Sequence, residues 1–154
     1  NIGLSAKTRK KAAELLNQLL ADEYVLYTKT YNFHWNLAGA QFHDYHLFFQ
    51  DQFEALIGIV DETAERTQYL GHRALGTLKE FLNTTRLKEE AKVPRTQEMV
   101  AKLLADHESI IRAVRADVDV CQDELKDMGT TDFLTGILQK HEKMAWMLRA
   151  LLAK

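Results

Sequence analysis

Apolar residues along this chain recur at spacings of three and four almost from end to end, and no stretch alternates as a half-buried strand would. The first run sets Ala12, Leu15, Leu16, Leu19, Leu20, Leu26, Tyr27 and Phe33 on one broad helical face. Ser5 fits its N-cap and Leu4 a staple residue, and the helix is expected to end near Ala38, with Gly39 as the left-handed stop. A second helix is expected from about Gln41 through Phe42, Tyr45, Phe49, Phe53, Leu56, Ile57 and Val60 to Leu70, with Gly71 ending it. Residues 71–95 then hold one short amphipathic segment, residues 77–82, and the single proline, Pro94. That stretch is too long for a tight turn between antiparallel helices and reads as a crossover along the outside of a bundle. The third helix starts after Thr96, with Glu98 in the first turn where the helix dipole favours an acid. It carries Val100, Leu103, Leu104, Ile110, Ile111, Val114, Val118, Cys121 and Leu125, and is expected to stop at Gly129. Thr131 would cap a last helix with Phe133, Leu134, Ile137, Leu138, Met144, Ala145, Leu148 and Leu151 inward. The pattern predicts an all-α fold: four long helices with a short one in the crossover between the second and third.

Composition narrows the picture without changing it. At 154 residues and 46% hydrophobic, the chain is expected to form one domain, residues 1–154, around a core of ordinary size. The net charge of −2 comes from interspersed acids and bases, with no polybasic run. One proline and seven glycines are too few for a loop-rich or disordered chain. The lone Cys121 excludes an intrachain disulfide and any cysteine-cluster zinc or iron–sulfur site, and its apolar helical position suits a packing thiol. No apolar run approaches the roughly 18 residues that would suggest a membrane span, and no secretory pattern opens the chain, so the expected compartment is the cytoplasm. The first residue, Asn1 rather than methionine, raises the expectation of a short preceding extension.

Candidate chemistry rests on His34, His46, Asp61 and Glu65. On one unbroken helix the two histidines would point about 120° apart, but a turn at Gly39 folds the end of the first helix against the start of the second. The imidazoles can then converge. Asp61 and Glu65 are four apart, so both carboxylates project from one face of the second helix. At about 1.5 Å per residue, His46 and Asp61 lie roughly 22 Å apart along the axis. Ligands must sit within about 2–2.5 Å of a metal ion, so the two pairs can share a metal only if a second copy of the chain supplies the missing half. Two imidazoles and two carboxylates suit Fe(II), Mn(II) or Zn(II). Each pair alone is weak evidence, since a histidine among aromatics usually packs and an acidic i,i+4 pair usually faces solvent, as Glu62 and Arg66 beside it do. No histidine has a glutamate three positions before it, which argues against a di-iron site inside one bundle.

The stretch Asn32-Phe33-His34-Trp35-Asn36, followed by Gly39, Phe42, His46 and Phe49, leads to Asp61-Glu62-Thr63-Ala64-Glu65-Arg66. These residues closely resemble the signature of the Dps family, the mini-ferritins called DNA-binding proteins from starved cells. The resemblance continues through Gly76-Thr77, Asp106-His107-Glu108, Gly129-Thr130-Thr131-Asp132-Phe133, His141-Glu142 and Trp146, and so covers essentially the whole chain. It implies a ferritin-like bundle assembled as a homo-oligomeric dodecamer. It implies that His34 and His46 of one subunit face Asp61 and Glu65 of another at a twofold interface. There Fe(II) would be oxidised, preferentially by hydrogen peroxide, and stored as ferric oxyhydroxide, with zinc or manganese able to occupy the same ligands. The resemblance further offers Trp35 as a radical trap, with plain packing among the neighbouring aromatics the alternative. Asp119, Asp123, Asp127 and Asp132 would line an iron pore, and Asp51 the iron-bearing interior, with a solvated helix face the plain alternative for these acids. A DNA-compacting role is the rival reading. Lys7, Arg9, Lys10 and Lys11 read better as a solvated face than as a DNA stripe, and twelve copies at −2 carry about −24 in formal charge, which repels phosphate.

Overall fold

The computed structural model describes residues 2–153, so the expectation attached to Asn1 lies outside the described residues. Among those residues five α-helices follow one another: α1 (Ala6–Asn36), α2 (Phe42–Tyr69), α3 (Leu78–Thr84), α4 (Thr96–Asp119) and α5 (Met128–Leu152). No strand occurs among them, and none of these helices is long and apolar enough to cross a membrane. α1 packs along α2, α4 packs along α5, and α1 also meets α3 and α4, while α2 and α5 barely touch. Leu16, Leu26 and Phe33 from α1, Phe49 and Leu56 from α2, Leu103 and Ile110 from α4, and Leu134 and Leu148 from α5 share one buried cluster. The three-and-four spacing puts them there, since only that period keeps an apolar stripe on one helix face.

Helix ends follow their local chemistry. The Ser5 hydroxyl accepts the Thr8 N–H at 3.0 Å and so takes up one orphan donor of the first turn of α1. At α3, the Thr77 hydroxyl accepts from the Glu80 N–H while the Glu80 carboxylate accepts from the Thr77 N–H, a full capping box. Arg73 also clamps Glu80, and its guanidinium, ahead of the Gly76 and Thr77 donors, holds that carboxyl down at about 2. The crossover is pinned to α1 by Asp22, fully buried, which accepts from Thr85 Oγ1 at 2.8 Å and from Arg86 N and Nε at 2.6 Å each. Gly71 (φ 78°) takes the positive-φ position past α2 that the pattern assigned it, whereas α1 ends at Asn36 with Leu37 extended, so Gly39 (φ 124°) shapes the turn two residues beyond that cap and does not itself stop the helix.

The connection between α4 and α5 departs from expectation. Gly129 does not stop the third long helix and Thr131 does not cap the last. Instead α4 widens into a π turn over Val120–Glu124, Leu125 N bonds to Val120 O, and Lys126 takes a left-handed φ of 53°. Asp127 is the cap of α5, its carboxylate accepting from Thr130 N at 3.1 Å and Thr130 Oγ1 at 2.6 Å. Gly129 and Thr131 therefore lie inside the first turn of α5. A Cβ at Gly129 would come within 2.9 Å of Arg66 Nη2, so the guanidinium would have to shift from its place beside Thr130. Cys121 is buried as a packing residue, and burial pushes its thiol up to about 11.

One polar network runs through the bundle centre. His141 Nε2 lies 2.7 Å from Glu23 Oε1, and its Nδ1 lies 2.9 Å from His107 Nδ1, with all three side chains fully buried. It ties α1, α4 and α5 together, because an unpaired carboxylate at that depth would cost several kcal/mol. Burial first, and His141 second, hold the His107 imidazole well below its ordinary value.

Two outcomes follow from these contacts. Replacing Asp127 by Ala is expected to lower stability by about 1–2 kcal/mol, the usual worth of a cap, seen as a lower midpoint in urea unfolding. A midpoint unchanged from wild type would show that the cap is dispensable. His107 stays neutral when folded but takes a proton near 6.5 when unfolded, so it costs stability as pH falls below about 6.5, approaching ~1.4 kcal/mol per pH unit. Melting temperatures from pH 7 to 5 should fall less steeply in His107→Gln than in wild type; parallel curves would contradict this.

Candidate metal centre

The turn at Gly39 decides where the histidines go. Phe42 N bonds to Gly39 O at 3.1 Å, so α2 doubles back at once and its first turn faces the last turn of α1. His34 and His46 consequently stack, with ring centroids 3.8 Å apart and planes at 22°. Each ring bonds to the other's backbone: His34 Nδ1 lies 2.9 Å from His46 O, and His46 Nδ1 lies 3.2 Å from His34 O. A carbonyl only accepts, so both Nδ1 atoms carry the proton and both Nε2 atoms present a lone pair. That is the tautomer a metal needs, fixed by second-layer acceptors that the sequence left unidentified. Phe53 meets the edge of His34 at 5.0 Å and Phe42 stacks on His46 at 4.9 Å, which walls the pair with apolar surface.

The carboxylates sit toward the other end of α2 and point outward. Asp61 and Glu65 are exposed, whereas their neighbours Glu62 and Arg66 face their own subunit's α5. Glu62 bonds to Lys140 at 2.5 Å, and Arg66 donates to Thr130 Oγ1 at 3.0 Å and lies 3.7 Å from Asp127 Oδ1. One helix thus carries two stripes, and among the described residues no cation of the same chain pairs with Asp61 or Glu65. It continues at four-residue steps in Ile57 and Tyr69, large hydrophobic side chains left exposed, as at a surface another chain covers. The Tyr69 hydroxyl donates to Glu65 Oε2 at 3.1 Å, and that bond, ahead of the carboxylate's charge, raises the phenol above its ordinary value. Among the described residues no three histidine, cysteine, aspartate or glutamate side chains gather into a metal cage within one chain. The imidazole pair and the carboxylate pair thus stay apart within one chain.

The other candidates separate. Trp35 is 63% exposed, with its ring centroid 4.0 Å from that of Tyr31. Asp119, Asp123 and Asp132 lie in solvent around the α4–α5 connection. Asp127 does not, because its carboxylate is buried and spent on capping α5, which removes it from the pore set. Asp51 is exposed on the wall of a groove of about 500 Å³ between α2 and α5, with Gln52, Glu62 and Met144. Arg9 is not free for DNA, since its Nη1 donates to Leu70 O at 3.1 Å and closes the end of α2. Sequence reasoning passed over Tyr69, although its i+4 spacing from Glu65 was a legible signal. It also passed over the Glu23–His141–His107 network, for which separations of 34 and 118 residues offered none.

Comparison with known proteins gives one family throughout. Residues 13–154 match the family model for ferritin, described as a ferritin-like domain. An uncharacterized low temperature-induced protein of Nostoc is 45% identical over 151 residues, covering 97% of this chain and 84% of that one. DNA protection during starvation protein 2 of Bacillus anthracis is 36% identical over 143 residues, covering 93% and 97%. The crystal structure of the Dps protein of Vibrio cholerae, described as a member of a broad superfamily of ferritin-like diiron-carboxylate proteins, matches with a TM-score of 0.94 at 28% identity. It covers 99% of this chain and 96% of its own.

Tyr69→Phe should weaken Zn(II) binding by about tenfold in calorimetric titration of the purified oligomer, the lower end of what losing an outer-layer partner costs. Unchanged affinity would mean that Glu65 is held without the phenol.

Proposed function

The chain belongs to the Dps proteins of the ferritin-like family, and on that premise we propose that it is an iron-storing mini-ferritin whose ferroxidase sites form between subunits. The observation that carries the proposal is the division of ligands along α2. Two imidazoles with free Nε2 lone pairs stand at one end, and two exposed carboxylates stand at the other. An antiparallel twofold pairing of α2 helices sets each imidazole pair against the partner's carboxylates and makes two sites per interface. The shell that the family resemblance implies is a dodecamer.

Fe(II) is the substrate of such a site. Asp61 and Glu65 lower the energy of the ferric product more than that of the ferrous substrate, because their charge interacts more strongly with the higher charge. Neutral His34 and His46 supply bonds without adding charge, which keeps the site open to further ferrous ions. Two ferrous ions give one electron each to a hydrogen peroxide molecule, its O–O bond breaks, and both oxygens end at the oxidation level of water. Hydrolysis of the ferric product releases protons and leaves ferric oxyhydroxide for the interior. Zn(II) or Mn(II) can take the same ligands and would inhibit by occupancy. The exposed acids Asp119, Asp123 and Asp132 suit an entry path for the cation, and Asp51 an interior surface.

DNA protection, the activity named in the relatives, follows from this chemistry without contact, because removing Fe(II) and peroxide together removes both reactants of hydroxyl-radical formation. Direct binding is disfavoured by the shell's formal charge of about −24, from twelve copies at −2. The cytoplasm is the compartment where such protection is useful.

Complementation tests the intersubunit site. The variant His34→Ala, His46→Ala and the variant Asp61→Ala, Glu65→Ala should each lose fast Fe(II) oxidation by peroxide, followed as ferric absorbance after anaerobic loading. Refolded together, they should recover part of it, because each mixed interface rebuilds one whole site. Failure of the mixture to recover any activity, with assembly intact, would overturn the shared site. Equal oxidation by wild type and both variants would reduce these four residues to structural parts.

A further inference from the structure

Beside the imidazole pair, α1 carries a run of oxidisable rings. Tyr24, Tyr27, Tyr31 and Trp35 recur at steps of three and four, so they share one face. The ring centroids of Trp35 and Tyr31 are 4.0 Å apart, those of Tyr31 and Tyr27 are 5.7 Å apart, and those of Tyr27 and Tyr24 are 6.0 Å apart. Tyr31 also stacks on His34 at 6.0 Å, so the run begins at the metal-binding imidazole. It ends at Tyr24, whose one further ring contact among the described residues is Phe81 of α3 at 4.3 Å, a ring too hard to oxidise to carry the run on. From Trp35 to Tyr24 the run covers eleven residues, roughly 16 Å of helix.

Packing alone accounts for aromatic rings at these positions but not for their hydroxyls. All three tyrosines are only half-buried, and among the described residues none of their hydroxyls bonds to a protein group. Each phenol can therefore pass its proton to water as its electron leaves, which is the condition for oxidising tyrosine at neutral pH. Rings in contact exchange electrons readily. We propose that Trp35, Tyr31, Tyr27 and Tyr24 form a relay that carries single oxidising equivalents away from the metal centre to Tyr24. The source of those equivalents rests on the ferroxidase reading above; the relay itself rests on the ring geometry.

The chemistry balances step by step. When one ferrous ion meets peroxide without a second beside it, one electron is transferred and the O–O bond breaks to hydroxide and a hydroxyl radical. Tyr31 gives that radical an electron and a proton, forming water and a tyrosyl radical, or Trp35 is oxidised first and Tyr31 then reduces it. Tyr27 gives an electron to Tyr31, which regains a proton from water while Tyr27 releases one. Tyr24 does the same for Tyr27. A soluble thiol then gives Tyr24 a hydrogen atom and leaves as a thiyl radical. The damage that a lone ferrous ion would do at the ligands is moved about three helical turns away.

Pulse radiolysis tests the relay without iron. Azide radicals oxidise tryptophan selectively, and the tryptophanyl and tyrosyl absorbances are distinct. The intact wild-type oligomer should show tryptophanyl decay matched by tyrosyl growth, first order and independent of protein concentration. Tyr31→Phe keeps the ring and removes the hydroxyl, so this conversion should be lost there; in Trp146→Phe it should persist. Conversion that survives Tyr31→Phe, or none in wild type, overturns the relay. A second arm uses Fe(II) with limiting peroxide and locates oxidised residues by mass spectrometry. Modification at Tyr24 should appear in wild type and disappear in Tyr27→Phe. If iron is oxidised rapidly but Tyr24 is never modified, the relay does not serve the site and the proposal fails. If iron is not oxidised at all while the radiolysis conversion holds, the ferroxidase reading fails and the relay stands.

Discussion

A straight helix cannot bring its two ends together, and the arrangement of this molecule's chemistry depends on that constraint. α2 runs unbroken from Phe42 to Tyr69 with no proline and one interior glycine, Gly58, so nothing in it invites a kink. Its imidazole end and its carboxylate end are separated by roughly 22 Å of rigid backbone. On the intersubunit site proposed above, residues distributed in this way would serve only in a pair, and an isolated subunit would hold no full site. The same rigidity suits a self-complementary pairing, because one helix presents both halves and a twofold axis would match each to the other.

Rigidity has to be maintained at both ends, and different interactions do so. At the start of α2, the two histidines lock one another through each other's carbonyls, so the turn at Gly39 and the imidazole pair are one structure. A side chain that adjusted the turn would also swing an imidazole. At the far end, Arg9 holds the Leu70 carbonyl at the C-cap of α2, and Arg66 reaches the cap of α5. Arg66 is adjacent to Glu65 in sequence and points about 100° round the helix from it, so the clamp that ties α2 to its own bundle also sets the direction of the acidic stripe. This links the α4–α5 connection to the candidate carboxylates. Asp127, expected to serve an iron path, contributes instead by capping α5 beside the arginine that orients α2.

Much of this was legible in the sequence, and where it was not the reason is physical. Helix existence and the placing of Asp61 and Glu65 on one face follow from periodicity, because a 3.6-residue repeat and an i,i+4 spacing are local properties; the reading of these two with His34 and His46 as one candidate site came from the family resemblance. Ser5 and Gly71 were legible for the same reason, since each cap or stop acts within four residues of itself. The α4–α5 connection misled because two sets of signals compete there. Gly129 with Thr131 looks like a stop and a cap, while Asp127 with Thr130 offers a stronger acceptor three residues ahead of its donor. The π turn at Val120–Glu124 adds a residue to the helical repeat and moves the end earlier, and no spacing rule foresees that. The buried Glu23–His141–His107 network was invisible because three helices from distant parts of the chain build it.

The aromatic residues show how one sequence feature can serve packing and chemistry together. Phe53 and the tyrosines of α1 fill the space between α1 and α2, and in doing so they keep water from the inner side of the imidazole pair. Phenylalanine would serve that purpose equally well, and burial alone would favour it, since every phenol taken from water without a partner costs free energy. At three successive positions the chain carries tyrosine instead, on the helix that also bears a metal-binding histidine. The hydroxyls stay at the edge of the packed layer, where they avoid most of that cost. A ferroxidase of the kind proposed needs oxidisable groups near its site but not at its ligands. Half-buried tyrosines on one face of α1 meet that need without disturbing the turn that holds His34 and His46 in place.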